Sequence, residues 1–164
     1  MSELHKIFLS LGSNVQPEIY LPKAIDLLRE HGQVKEISSV WESRAVGSNG
    51  PNFLNLCLLF VTFIAPENLK EQIIHPIESG LGRVRSENKN APRTIDIDIV
   101  MADGDPVNLE FWNYAFIVVP MADIAPKLLH PITRKKMSAA SRLLRSQIWI
   151  VQRSDVSLPA SPTV

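Results

Sequence analysis

Hydrophobic and polar positions alternate strictly over residues 94–101. Ile95, Ile97, Ile99 and Met101 fall on one side, and Thr94, Asp96, Asp98 and Val100 on the other. A period of two in β-branched residues predicts a half-buried strand. The isoleucines need a core, so Asp96 and Asp98 share the opposite face, roughly 7 Å apart along the strand. Apolar runs predict three earlier strands. Residues 7–11 end in the turn Gly12-Ser13-Asn14, residues 34–41 alternate imperfectly, and residues 53–64 are apolar on both faces and therefore central. Helical spacing puts Leu21, Ala24, Ile25, Leu27 and Leu28 on one side of residues 17–30, with Gly32 as the stop. Leu69, Ile73, Ile74 and Ile77 repeat in the same way over residues 65–80. Pro76 inside that pattern kinks or splits the helix, and the sequence leaves open which.

After the aspartate strand, Asp103-Gly104 predicts a hairpin-like turn. Residues 107–114 carry aromatics, and residues 116–119 read as a strand halted by Pro120. A helix follows over residues 134–145 and a last strand over 148–151. The order β-α-β-β-α-β is that of the split βαβ arrangement. It predicts an α+β, ferredoxin-like fold, with an antiparallel sheet and helices packed on one or both faces, so that one face stays open for Asp96 and Asp98. One domain is expected over residues 1–155, with residues 156–164, marked by Pro159 and Pro162, as a disordered tail.

Composition narrows the chemistry. The 164 residues carry 17 Lys and Arg against 17 Asp and Glu, so no global basic field recruits nucleic acid and any phosphate site is local. The single Cys57 sits in an apolar run and reads as core, which excludes a disulfide or zinc framework. The longest apolar stretch, residues 56–65, is too short to span a bilayer, and the N-terminus lacks a signal-like pattern. The expectation is a cytoplasmic monomer that acts on small molecules.

Two carboxylates on one strand face repel each other unless a cation joins them. Their spacing suits a pair of divalent ions ~3.5–4 Å apart across a phosphoryl group, with Mg²⁺ the natural choice because it takes oxygen ligands and few protein ones. Arg83, Arg85, Lys89 and Arg93 supply cations in the loop that leads into the strand, against the single acid Glu87. That is the complement a metal-bound polyphosphate requires. The plain alternative is an edge strand with a solvated polar face beside a basic loop. Aspartate is a poor strand former, however, and two of them interrupt an isoleucine ladder here.

The segment Ala91-Pro92-Arg93-Thr94-Ile95-Asp96-Ile97-Asp98-Ile99-Val100 resembles the signature of the 6-hydroxymethyl-7,8-dihydropterin pyrophosphokinase family. Leu11-Gly12-Ser13-Asn14, Phe53-Leu54-Asn55 and Ile77-Glu78 with Gly82-Arg83-Val84-Arg85 resemble that family's other elements in the same order, and the likeness spans residues 5–132. The resemblance implies transfer of pyrophosphate from ATP to the pterin hydroxymethyl group, with release of AMP, in folate biosynthesis. It implies Asp96 and Asp98 as ligands of two Mg²⁺ ions, with Arg83 and Arg93 neutralising phosphoryl oxygens beside them in the catalytic set. It implies Glu78, Arg83, Arg85, Arg93 and Ile99 on the ATP side, and Ser43, Val46, Phe53, Asn55, Asp96 and Phe116 around the pterin.

The chain also departs from the family pattern. Residues 107–114 replace a longer loop that begins His-Pro, Tyr114 stands where an Arg is expected, Asn90 where a Trp is, and Arg44 where a Pro is. The lost cation predicts ATP affinity weaker by ~1.5–3 kcal/mol, with Trp112 and Tyr114 substituting in part by stacking. His5, His75 and His130 read as structural or surface residues. Two other readings fit the same residues: a Mg²⁺-dependent phosphotransferase or nucleotidyltransferase acting on another alcohol, and a pterin- or nucleotide-binding module without turnover.

Overall fold

The computed structural model describes residues 2–47, 49–84 and 91–160. β1 (His5–Ser13) lies between β4 (Phe53–Thr62) and β5 (Asp96–Ala102), antiparallel to both. On the far side of β4, β2 (Gln33–Ile37) and β3 (Trp41–Ser43) pair end to end along its edge. β6 (Asp105–Pro106) extends the sheet beyond β5, and β7 (Ile150–Gln152) extends it beyond β3. The seven strands are antiparallel throughout, in the strand order of the expected ferredoxin-like sheet.

Helices cover both faces. On one face, α1 (Pro17–Arg29) and the segment from α2 (Pro66–Leu69) to α3 (His75–Gly80) bury Leu21, Ile25, Leu69, Ile73 and Ile77 against Ile7, Leu9, Ile97 and Ile99. On the other, α4 (Ala115–Ile124) and α5 (Met137–Gln147) pack on Cys57, Val100 and Met101. The face of Asp96 and Asp98 is therefore only partly open.

Pro76 splits its helix without breaking it. Residues Lys70–Ile74 widen into a π-helical turn between α2 and α3, so the proline falls in the first turn of α3, where a missing N–H costs nothing. The imperfect alternation of residues 34–41 marks two strands, with a register shift between Val34 and Glu36 and a break before Trp41.

Two expectations are corrected. Residues 116–119 are the interior of α4, not a strand, and Pro120 lies within that helix. Ile117, Val118, Val119 and Met121 are buried all round it, and a run apolar on every side carries no period. Met101 does not share the isoleucine face. Phe8 faces Met101 and Leu9 faces Ile99, so Val100 is an extra residue that turns Met101 toward α4 and α5.

Asp103 and Gly104 take φ of 50° and 90°, the left-handed pair of a tight hairpin between β5 and β6. Past residue 155, Val156 and Leu158 pack on the first core and Arg29 donates to the Ala160 carbonyl at 2.7 Å. The segment expected to be a disordered tail is thus docked through Ala160, and residues 161–164 lie outside the described ones. No described helix is long and apolar enough to cross a membrane.

Candidate functional site

The register of the sheet builds the site row by row. Asp96 lies opposite Gly12, which lies opposite Asn55, which lies opposite Trp41. In the next row Asp98 faces Ser10, which faces Cys57. Above these rows opens a cavity of about 280 Å³ lined on the sheet by Ser10, Gly12, Phe53, Asn55, Asp96 and Asp98. Ser43, Arg44, Ala45 and Val46 close one side, Ala91 and Arg93 another, and Phe111, Tyr114 and Phe116 the third.

Asp96 gathers the charge. Arg83 donates Nη1–H to its Oδ1 at 2.8 Å, and Arg93 donates Nη1–H to its Oδ2 at 2.9 Å. Arg83 is fixed from behind by Glu78, which is buried and also accepts the Ile97 N–H at 3.0 Å. Because β6 is only two residues long, Glu78 satisfies a backbone donor that β6 does not reach. Arg93 is fixed through its backbone: its N–H donates to Asn14 Oδ1 at 2.7 Å and its carbonyl accepts the Asn14 N–H at 3.1 Å. The Gly-Ser-Asn turn therefore anchors the arginine that faces Asp96.

Asp98 has no hydrogen bond or ion pair among the described residues. Burial first, then the charges of Asp96 and Glu78, push its carboxyl up to about 7. A half-buried acid so strained, two residues from a second carboxylate, fits an oxygen-preferring divalent ion that takes few protein ligands and completes its shell elsewhere. No group of three or more His, Cys, Asp or Glu suited to a metal occurs among the described residues.

The other end is flat and aromatic. Asn55 spends both amide protons, on the Trp41 carbonyl at 3.2 Å and on Ser43 Oγ at 2.8 Å, which leaves Oδ1 as an acceptor without a partner among the described residues. A Cβ on Gly12 would stand 3.1 Å from that Oδ1 and 3.7 Å from the Phe53 ring, so glycine keeps the floor open beneath it. Tyr114 stacks on Phe116 with centroids 5.1 Å apart and planes 13° from parallel, and its hydroxyl donates to Glu110 at 3.1 Å.

Of the residues expected at the site, Arg93, Asp96, Asp98, Ser43, Val46, Phe53, Asn55 and Phe116 line the cavity. Arg83 and Glu78 stand behind its wall, and Ile99 turns its side chain into the first core. Arg85, Lys89 and Asn90 lie outside the described residues. Tyr114 reaches the cavity as expected, but Trp112 does not. It is 1% exposed and packs edge-on against His130, which donates from Nε2 to the Trp112 carbonyl at 2.6 Å. Asn14, Ser10 and Phe111 were not singled out for the site. Only Asn14, in the Gly-Ser-Asn turn, carried a sequence signal.

The model of the family 7,8-dihydro-6-hydroxymethylpterin-pyrophosphokinase (HPPK) matches residues 8–126. The chain belongs to this family. A 2-amino-4-hydroxy-6-hydroxymethyldihydropteridine pyrophosphokinase of Aquifex aeolicus is 36% identical over 141 residues, covering 80% of this chain and 87% of that protein. The enzyme of the same name from Synechocystis is 30% identical over 144 residues, 81% of this chain and 73% of its own length. Among solved structures, Plasmodium falciparum HPPK-DHPS with pteroate superposes with a TM-score of 0.69 at 11% identity. That match covers 90% of this chain but 44% of the larger protein, and it bears on the fold alone. α5 and β7 lie beyond the segment matched by the family.

Proposed function

We propose that this chain transfers pyrophosphate from ATP to the hydroxymethyl oxygen of 6-hydroxymethyl-7,8-dihydropterin, releasing AMP, as a step of folate biosynthesis. The observation that carries the reading is the pairing, in one cavity, of an Asp96–Arg83–Arg93 cluster beside Asp98, which has no partner among the described residues, with a flat aromatic end that presents one amide acceptor. Phe53 and Phe116 take the faces of the ring, and Asn55 Oδ1 takes an N–H on its edge. Ser43 and Val46 close that end, and the hydroxymethyl group points along the sheet toward Asp96.

The hydroxymethyl oxygen attacks the β-phosphorus in line. A new P–O bond forms, the bond from the β-phosphorus to the oxygen bridging to the α-phosphorus breaks, the hydroxyl loses its proton, and AMP leaves with the bridging oxygen. Arg93 and Arg83 meet the charge that grows on the phosphoryl oxygens, and their backbone and Glu78 anchors hold them ready for it. Asp96 and Asp98 would hold Mg²⁺, which would supply neutralisation of the triphosphate and polarisation of the reacting phosphorus. Glu78 holds Arg83 on the ATP side. By the resemblance, Arg85 belongs to the ATP side. The chain works as a cytoplasmic monomer on small molecules, without nucleic acid or membrane.

Incubation with ATP, Mg²⁺ and the dihydropterin, with AMP measured, tests the proposal. Pterin-dependent AMP that vanishes on chelation of the metal and in Asp96→Ala is the expected result. Release of ADP or pyrophosphate would assign the site to another phosphoryl or nucleotidyl transfer. Pterin binding without any AMP would make the chain a binding module.

A further inference from the structure

We infer that Arg44 is a specificity-determining residue for the dihydropterin, seated at the far end of the cavity by Trp149 of the C-terminal segment. The inference rests on the function proposed above. β7 pairs with β3 so that Ser43 faces Ile150 and Trp41 faces Gln152. Arg153 tightens the same join: its N–H donates to the Val40 carbonyl at 2.8 Å and its Nη1–H to Glu42 at 2.6 Å. The strand that ends in Ser43 is thus clamped from outside the family-matched segment, and residues 44–46 leave it directly onto the cavity. Arg44 lies with its guanidinium 5.1 Å from the centroid of the Trp149 ring, a cation–π seat that holds an exposed side chain on the cavity wall.

Position and chemistry select its target. β3 lies three strand spacings from β5, roughly 14 Å, so Arg44 stands clear of the phosphate end. Asn55 offers only an acceptor there, because both its amide protons are spent. An aminopyrimidinone edge presents N–H donors and, beside them, an oxo acceptor. Asn55 Oδ1 serves the first. The oxo group needs a donor, and the planar guanidinium supplies a fork of N–H groups in the plane of the ring. Among the described charged side chains that line the cavity, Arg44 is the one on this side; Arg93, Asp96 and Asp98 belong to the other.

The test is calorimetric titration of the full chain with dihydropterin, with Mg²⁺ and a non-hydrolysable ATP analogue present, alongside steady-state AMP formation. Arg44→Ala is expected to weaken dihydropterin binding about tenfold, the loss of one charge-assisted hydrogen bond. The loss should appear in the pterin KM, with kcat and the affinity for the ATP analogue little moved. Arg44→Lys keeps the charge without the fork and falls in between. Trp149→Leu unseats the guanidinium and gives about threefold on the same scale. Arg44 is exposed, so its variants fold whatever the fate of the Trp149 variant. Dihydropterin affinity in Arg44→Ala within twofold of the parent, or an equal loss for the ATP analogue, overturns the inference and leaves the proposed function standing. A parent chain that binds no dihydropterin overturns both.

Discussion

Asp98 is kept where folding does not want it. Its half-buried carboxyl lacks a partner among the described residues and is held near 7 by burial and by its acidic neighbours. Removing that charge relieves the metal-free protein. Asp98→Asn is expected to raise the stability of the chelated chain by roughly 1 kcal/mol in urea unfolding, and to abolish AMP formation. Glu78 is the opposite case. Alanine there removes one of the two carboxylate partners of Arg83 and orphans the Ile97 N–H, so stability falls by ~3 kcal/mol in the same measurement. The two aspartates could be read from sequence because alternation puts both on one face whatever the fold. The job of Glu78 could not: its partner is a backbone amide 19 positions away, exposed by the shortness of β6.

Elements that alternate or repeat cleanly were legible, and the helix buried on all sides was not. β1, β5 and α1 fall within a few residues of their expected bounds through their periodic patterns, and β4, buried on both faces, through its long apolar run. α4 is wrapped by two apolar clusters and so has no polar face to betray its period. Its misreading as a strand had a small cost for the site, because Phe116 reaches the cavity from the first turn of a helix as well as it would from a strand. The floor of the site depends on β1 passing close beneath Asn55. Gly12→Ala places a methyl group 3.1 Å from Asn55 Oδ1. Dihydropterin affinity is expected to fall about tenfold by titration, with unfolding shifted by only ~1 kcal/mol.

At the scale of the whole molecule, the two ends of β5 are tied down differently. His5 and Asp103 pair at 2.7 Å, and Asp103 also accepts the Lys6 N–H at 2.9 Å, joining the start of β1 to the β5–β6 turn. The hydrogen bond to Asp103 raises the His5 pKa above 6.5, and the same bond lowers Asp103 below 3.8. The contribution of His5 is complete below 6.5 and is lost as pH rises through its raised value. That of Asp103 is complete above 3.8 and is lost as pH falls through its lowered value. The tether is therefore strongest between those limits. The gap in Tm between the parent chain and Asp103→Asn should be widest near pH 5 and narrow toward pH 8. At the other end, Asp96 occupies both arginines that a phosphate would seek. With Glu78 and Asp98 alongside, carboxyl groups outnumber guanidiniums there among the described residues. A bare polyanion arriving at this cluster meets repulsion and finds its would-be partners engaged. A phosphate chain that carries its own divalent ion would offer Asp96 that ion in place of the arginines. The cluster is therefore expected to disfavour free pyrophosphate, sulfate and uncomplexed nucleotide, and inhibition by pyrophosphate should rise with Mg²⁺ concentration instead of falling.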